Sequence, residues 1–238
     1  MFGRFLELSL NTDDIAASVQ FYERLGFTQL TTGDAWPHPY GVLSDGRVCI
    51  GLHQRRGPSP LLSFVRPDLA QHVAALRTAG FETRSARLGE GDFHELRLRD
   101  PAGQDIALLE ARTYSPARGA HAGSLCGWFS SYSMPAADPD AAREFWERAG
   151  FVALDLPDEP LLPLALTSDT LTLTLHQPRL FADPLLVFTD AQMAERIARI
   201  AAVDIEVGGQ LPRGLDPDAN ALIESPEGTR LLLLQAEG

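Results

Sequence analysis

The chain repeats itself once, and this repeat limits the folds available to it more than any other feature. The segment FYERLGF at 21–27 recurs as FWERAGF at 145–151, and RDPAGQDIALLEA at 99–111 is matched by ESPEGTRLLLLQA at 224–236. Between them, IGLHQ is matched by LTLHQ and SPLLSF by DPLLVF, in the same order. Four ordered matches at nearly constant spacing indicate two copies of one domain. We place these domains at 1–115 and 122–238, with a small, turn-rich linker within 111–127.

Each copy divides again into two units of one strand, one helix and three strands. In the first unit FLELSLN alternates apolar and polar residues, which predicts a half-buried strand. Asp13 or Asp14 can cap the helix that follows, and Gly26 stands where a helix ends in a left-handed residue. Asp45-Gly46 predicts a hairpin between later strands. The sequence therefore predicts an α+β fold of four βαβββ units forming two tandem domains.

This pattern resembles the vicinal oxygen chelate superfamily, which includes glyoxalases, bleomycin-resistance proteins and extradiol dioxygenases. The resemblance covers essentially the whole chain and rests on LNTDDIAASVQFYERLGF and LRLRDPAGQDIALLE. It predicts the glyoxalase/bleomycin-resistance-like fold for both domains. It does not fix an activity, because one fold hosts several chemistries and binding roles.

For metal-dependent members, the resemblance implies ligands on the first and last strands of each unit. Of the eight corresponding positions, only Glu7 carries a ligating carboxylate. The other seven are Gly51, Leu61, Ala107, Ser131, Thr174, Leu185 and Leu232. A catalytic metal needs about three protein ligands and an open position. We therefore expect no metal cofactor; if a divalent metal binds, Glu7 and His53 are its candidate ligands.

Strand alternation predicts which other side chains share the cleft with Glu7. If Leu6, Leu8 and Leu10 face the helix, Glu7 and Ser9 face the cleft. By the same argument His53, Glu95 and Arg97 reach it from other strands. Each has a structural alternative: His53 would be a solvated residue at a strand end, and Glu95 and Arg97 a weak surface pair. Glu7 is harder to explain in this way, because a carboxylate between leucines is costly to bury without a partner.

The segment AWPHPY at 35–40 adds aromatic candidates at the mouth of the first cleft. Trp36 and Tyr40, with His38 between them, suit contact with a flat ligand. Two prolines in the same segment are equally typical of a rigid connection without a ligand. We include Trp36 and Tyr40 among the candidate ligand-binding residues.

Composition excludes several partners and chemistries. The chain has a net charge of -12 and no lysine, so all 20 basic residues are arginine. This excludes lysine-based catalysis and argues against nucleic acid and anionic membrane surfaces. The acidity is uneven, since residues 1–118 carry a net charge of -1 and residues 119–238 carry -11. The first domain could therefore still accept an anionic or zwitterionic molecule, held by guanidinium, histidine or backbone N–H groups.

Cys49 and Cys126 match no zinc-binding spacing, and no apolar stretch approaches the length of a membrane span. These features predict a cytoplasmic protein with reduced thiols. We expect it to bind a small organic molecule in the first cleft, as bleomycin-resistance proteins do. The alternative is a metal-dependent lyase, isomerase or dioxygenase that uses Glu7 and His53. The second domain would pair with the first within one chain, as a monomer or in a homodimer.

Overall fold

A computed structural model describes residues 1–33, 36–111, 123–156, 159 and 161–236. These residues form two mixed β-sheets and four helices, which confirms the predicted α+β fold. The first sheet contains strands from residues 4–110, and the second contains strands from residues 128–235. The proposed boundaries at 115 and 122, and most of the predicted linker, lie outside the described residues.

The first half of the chain, residues 1–111, forms an eight-stranded sheet with two helices. Its order is β2-β3-β4-β1-β5-β8-β7-β6, with β1 and β5 antiparallel at the centre. In chain order its elements are β1 (Arg4–Asn11), α1 (Ile15–Arg24), β2 (Thr28–Leu30), β3 (Tyr40–Ser44), β4 (Cys49–His53), β5 (Leu61–Arg66), α2 (Leu69–Thr78), β6 (Ser85–Arg87), β7 (Glu95–Arg99) and β8 (Asp105–Glu110). Both predicted βαβββ units are therefore present in this half.

The second half, residues 123–236, forms a sheet of seven strands in the order β10-β11-β12-β9-β13-β15-β14. Its elements are β9 (Trp128–Pro135), α3 (Pro139–Ala149), β10 (Val152–Asp155), β11 (Leu164–Thr167), β12 (Thr172–His176), β13 (Leu185–Asp190), α4 (Met193–Ala201), β14 (Ala221–Glu224) and β15 (Arg230–Gln235). The prediction of a third strand after α4 is wrong. Residues 202–220, all described, form no strand, and this segment contains several glycines and prolines that disfavour one.

Local sequence determines where the first unit turns. Asp14 is the N-cap of α1, and its side chain accepts a hydrogen bond from the backbone N–H of Ala17. Gly26 follows the helix with φ of 88°, a backbone conformation that residues with a side chain rarely adopt. In the β3–β4 hairpin, Asp45 accepts from the N–H groups of Arg47 and Val48. The predicted cap, helix end and hairpin are therefore confirmed.

The two halves share one continuous hydrophobic core on the helix side of both sheets. Reciprocal hydrogen bonds cross between them. Tyr22 on α1 donates to Glu227 in the turn before β15, and Trp146, at the matching position on α3, donates to Asp100 in the turn before β8. Burial raises the pKa of Asp100. The repeated Pro-x-Gly turns thus join the two halves.

Neither Cys49 nor Cys126 forms a disulfide, and both are buried. Burial raises the pKa of Cys126 to about 12, which keeps it protonated and chemically inert. None of the four helices in the described ranges is long and apolar enough to cross a membrane.

Candidate functional site

The candidate site lies on the face of the first sheet opposite the helices, which we call the first cleft face. On β1, Leu8 and Leu10 enter the shared core, so Glu7 and Ser9 project to the other side. The prediction that Leu6 also packs on the helix is wrong, because an irregularity between Phe5 and Glu7 interrupts the alternation and Leu6 joins a separate apolar cluster. Glu7 pairs with Ser63 of β5, and Ser9 pairs with Gly51 of the parallel strand β4. The central strands of the sheet therefore bring the polar side chains together, as strand alternation predicted.

Glu7 is 1% exposed, and three side chains donate to its carboxylate. Ser9 Oγ and His53 Nε2 lie 2.7 and 3.0 Å from Oε1, and Tyr40 OH lies 2.6 Å from Oε2. Burial alone raises the pKa of Glu7, but hydrogen bonding and charge from His53, with the two hydroxyl groups, outweigh this and lower it. Glu7 is thus an ionised carboxylate whose buried charge is stabilised from within the protein.

His53 is fully buried, so the alternative of a solvated strand-end histidine is wrong. Since Glu7 is ionised, Nε2 of His53 carries the proton and donates to it. Nδ1 of His53 lies 2.9 Å from Nε2 of His38, nearer the mouth. Burial, together with the charges of His53 and Arg55, lowers the pKa of His38 and favours its neutral form. These contacts form a continuous chain from Glu7 through His53 to His38.

Gly51 makes room for the Glu7 carboxylate. A Cβ atom at position 51 would lie 2.1 Å from Oε1 and 2.3 Å from Oε2 of Glu7. Real Cβ atoms do not approach other atoms so closely, so any side chain here would displace the carboxylate. A position that the resemblance assigns to a ligand is instead filled by a neighbouring side chain.

Glu95 and Arg97 also lie on the first cleft face, on β7. Glu95 is 4% exposed, so the alternative of a surface pair is wrong. Nη2 of Arg87 lies 2.5 Å from its Oε2, and Arg97 donates from Nε to its Oε1. The Arg87 side chain is 65% exposed and that of Arg97 22%, so the two guanidinium groups reach the buried carboxylate from its solvent side.

Aromatic side chains cover the histidine chain. The Trp36 ring contacts His53 edge-on at 5.1 Å between centroids and lies 5.6 and 5.9 Å from His38 and Tyr40. Phe93, in the loop before β7, lies 6.0 Å from Trp36 and is 51% exposed. The predicted mouth residues therefore do lie with the polar cluster, beside Ser9 and His53.

Sequence reasoning missed three contributors to this face: Ser63, Arg55 and Arg87. Ser63 bonds Ser9 at 2.8 Å, and it stands alone as a polar residue within the apolar run LLSFV. Arg55 follows β4 directly, and Arg87 lies on the edge strand β6. The interruption of the apolar run could have indicated Ser63, but nothing local identified the two arginines.

The matching face of the second half has a different character. Ser131 replaces Glu7 and bonds Thr174, which replaces Gly51, at 2.9 Å. His176 replaces His53, accepts from Ser133 at 2.7 Å, and donates to the carbonyl of Phe181 at 3.1 Å. An apolar cluster formed by this half's own side chains lies on the same face, and two of its members, Phe181 and Leu222, also line a cavity of about 480 Å³. The cluster consists of Leu162, Phe181, Leu185, Val187, Leu222 and Leu232.

The residues on the first cleft face do not fit a catalytic metal centre. Glu7 and His53 hydrogen-bond to each other. Ala107, Gly51 and Leu61 have no side-chain atom that could coordinate a metal ion. In the described part of the chain, no three His, Cys, Asp or Glu side chains form a group that could hold a metal ion. A catalytic site needs about three ligands directed at one point, whereas Glu7 and His38 contact opposite nitrogens of the His53 ring.

No protein-family model matches the chain, and no curated protein matches it. Solved structures match its fold over nearly the whole length. The 2,3-dioxygenase LapB from Pseudomonas sp. KL28 is 15% identical with a TM-score of 0.61, covering 96% of this chain and 90% of that one. A Mn(II)-bound glyoxalase from Novosphingobium aromaticivorans is 13% identical with a TM-score of 0.59, covering 96% and 80%.

A triple variant of 4-hydroxymandelate synthase from Streptomyces coelicolor is 13% identical, with a TM-score of 0.60, and covers 99% of this chain and 94% of that one. These likenesses confirm the predicted fold, which the chain shares with these dioxygenase, glyoxalase and synthase structures. At such low identity they carry no residue roles to this chain.

Proposed function

We propose that the first half binds a small organic molecule on its cleft face, with no metal ion at the inherited position. The saturated Glu7 carboxylate is the observation that carries this proposal. It accepts from Ser9, Tyr40 and His53, so a metal could bind there only by breaking bonds that stabilise a buried charge. Aromatic and guanidinium groups beside it suit ligand recognition.

We assign the second half a structural role. Its own leucines and Phe181 pack together on the matching face and leave no buried charge there like that of Glu7, although Phe181 and Leu222 also line a cavity of about 480 Å³. The reciprocal bonds of Tyr22 and Trp146 tie it to the first half. We further propose that the halves are domains 1–115 and 122–238, paired within one chain.

A fragment screen by saturation-transfer NMR in excess EDTA tests ligand binding directly. We expect hits whose affinity falls at least about tenfold in Trp36→Ala. Trp128→Ala is the matched control, because Trp128 is an exposed tryptophan of the second half. Absence of hits, or hits unaffected by Trp36→Ala, would contradict the proposal.

The second candidate is a metal-dependent lyase, isomerase or dioxygenase. It is favoured by structural neighbours that include a 2,3-dioxygenase and a Mn(II)-bound glyoxalase, and by Glu7 at a ligand position beside His53. If metal bound there, Glu7 and His53 would hold it, and it would supply Lewis-acid or redox chemistry.

Elemental analysis of protein purified without chelator separates the two candidates. Our proposal predicts far less than one Mn, Fe, Ni or Zn per chain, unchanged in Glu7→Gln. The control is Glu110→Gln, since Glu110 forms a comparable pair with His94 at 3.2 Å outside the cleft. Near-stoichiometric metal that is lost in Glu7→Gln and retained in Glu110→Gln would establish the second candidate instead.

A further inference from the structure

The mouth of the first cleft face holds more positive than negative charge. Three guanidinium groups, those of Arg55, Arg87 and Arg97, lie near two carboxylates, those of Glu95 and Glu7. Arg87 and Arg97 each engage one oxygen of Glu95, and Glu7 bonds His53, Tyr40 and Ser9. Both carboxylates attract Arg55 at longer range, but neither forms an ion pair with it in the described part of the chain. The chain as a whole carries a net charge of -12, so a local cationic excess is notable.

Arg55 supplies this excess charge. Its Nε donates to Asn11 at 3.3 Å, and no carboxylate lies within ion-pair distance of it among the described residues. Burial and then the nearby charge of Arg97 lower its pKa, and the charges of Glu95 and Glu7 oppose this in part. Arg55 and Arg97 are both partly buried, and an anion between their guanidinium groups would relieve the repulsion.

An aromatic surface adjoins the guanidinium groups. The guanidinium carbon of Arg55 lies 5.6 Å from the Trp36 ring, and Phe93 meets the same ring at 6.0 Å. Phe93 exposes about half of its surface although it is large and apolar. Nε1 of Trp36 is buried and has no acceptor in the described part of the chain. An unpaired buried N–H is costly, and an acceptor on a ligand would satisfy it.

We propose that this mouth binds a planar arenecarboxylate, with its ring against Trp36 and Phe93 and its carboxylate on Arg55 and Arg97. This inference rests on the proposed function and names the ligand class for the same site. A guanidinium group matches the planar, two-oxygen geometry of a carboxylate. The flat aromatic surface beside it favours an aryl ring over a compact anion.

Isothermal titration calorimetry with 2-naphthoate tests the inference, with 2-naphthamide as a neutral isostere and inorganic phosphate as an anion without a ring. We expect 2-naphthoate to bind at least about tenfold more tightly than either. Arg55→Gln should weaken its binding at least about tenfold, whereas Arg55→Lys, which keeps the charge, should weaken it less. Arg77→Gln, on α2 away from the cleft, should change nothing.

Three results would overturn the inference. Equal binding of 2-naphthamide would remove the role of charge, and equal binding of phosphate would remove the role of the ring. If both Arg55→Gln and Arg55→Lys bound 2-naphthoate as tightly as the unmodified protein, the compound would bind at a site that does not include Arg55. In each case, fragments whose affinity still falls in Trp36→Ala would leave the proposed function intact. A screen with no Trp36-dependent fragment would remove the proposed function itself.

Discussion

The two cleft faces descend from one repeated unit pair, yet their centres are filled in opposite ways. In the first half a large Glu7 lies over Gly51, which has no side chain. At the matching positions of the second half, small Ser131 bonds the larger Thr174. The combined space is similar, but only the first arrangement buries a charge. The comparison teaches that the buried Glu7 carboxylate occurs together with Gly51, the glycine that leaves space for it.

The surroundings of the two centres differ in the same direction. Ser63 and Arg97 of the first half correspond to Val187 and Leu222 of the second. Those two apolar residues belong to the apolar cluster of the second face. Burying leucine and valine stabilises a fold by about 1.5–3 kcal/mol for each side chain, whereas a buried ion network contributes little net stability. The first half has an apolar cluster of its own that includes Leu61 and Ala107, so the two faces differ in the ion network that only the first one carries. Its small contribution to stability agrees with the binding role that we propose.

Exchanging the two central arrangements is the strongest test of this comparison. Gly51→Thr should lower the free energy of unfolding by about 3–5 kcal/mol, because its Cβ displaces the Glu7 carboxylate and leaves buried donors unpaired. Glu7→Ser combined with Gly51→Thr reproduces the Ser131 and Thr174 pair. We expect the double variant to recover at least about 2 kcal/mol relative to Gly51→Thr, measured by urea unfolding.

Thr174→Gly is the reverse change and a suitable control, since it removes a side chain without forcing any charge to move. It should lower the free energy of unfolding less than Gly51→Thr does. If the costs of Glu7→Ser and Gly51→Thr simply add in the double variant, the proposed dependence of Glu7 on Gly51 is wrong.

Periodic and repeated features made the fold predictable from sequence, and the site only in part. Alternation on β1 correctly placed Glu7 and Ser9 away from the core, because the phase of a strand is fixed by its neighbours in sequence. The burial of His53 was not predictable, since it depends on Trp36 and Glu7 reaching it from other elements. Arg55 was missed for the same reason. The absent strand after α4 shows that even a repeat can lose an element.

The two corresponding histidines offer a pH test of the comparison. Within the described residues, His176 bonds the Ser133 hydroxyl and the Phe181 carbonyl but no carboxylate, and burial lowers its pKa to about 4. The unfolded chain binds this proton from about pH 6.5 downward, while the folded protein binds it only below about pH 4. His176 should therefore lower the free energy of unfolding by about 3 kcal/mol as the pH falls across that window.

Urea unfolding at several pH values between 7 and 4 measures this loss. The variant His176→Gln should show a smaller decline than the unmodified chain, although it starts from a lower stability at pH 7. His94→Gln serves as the control because His94 is partly exposed and already pairs with Glu110. An unchanged decline in His176→Gln would mean that other groups cause the acid sensitivity.

The reciprocal hydrogen bonds between the halves provide the test with the smallest expected change in unfolding free energy and the most closely matched pair of variants. Trp146→Phe removes the donor to Asp100, which is 4% exposed and cannot readily recruit water in its place. Tyr22→Phe removes the donor to Glu227, which is only half-buried and still accepts from Ser18. We expect a loss of about 2 kcal/mol for Trp146→Phe and about 1 kcal/mol for Tyr22→Phe. Thermal unfolding of both variants decides the order. A larger loss for Tyr22→Phe would show that burial of the acceptor does not control the strength of these bonds, and that the packing of each aromatic ring does.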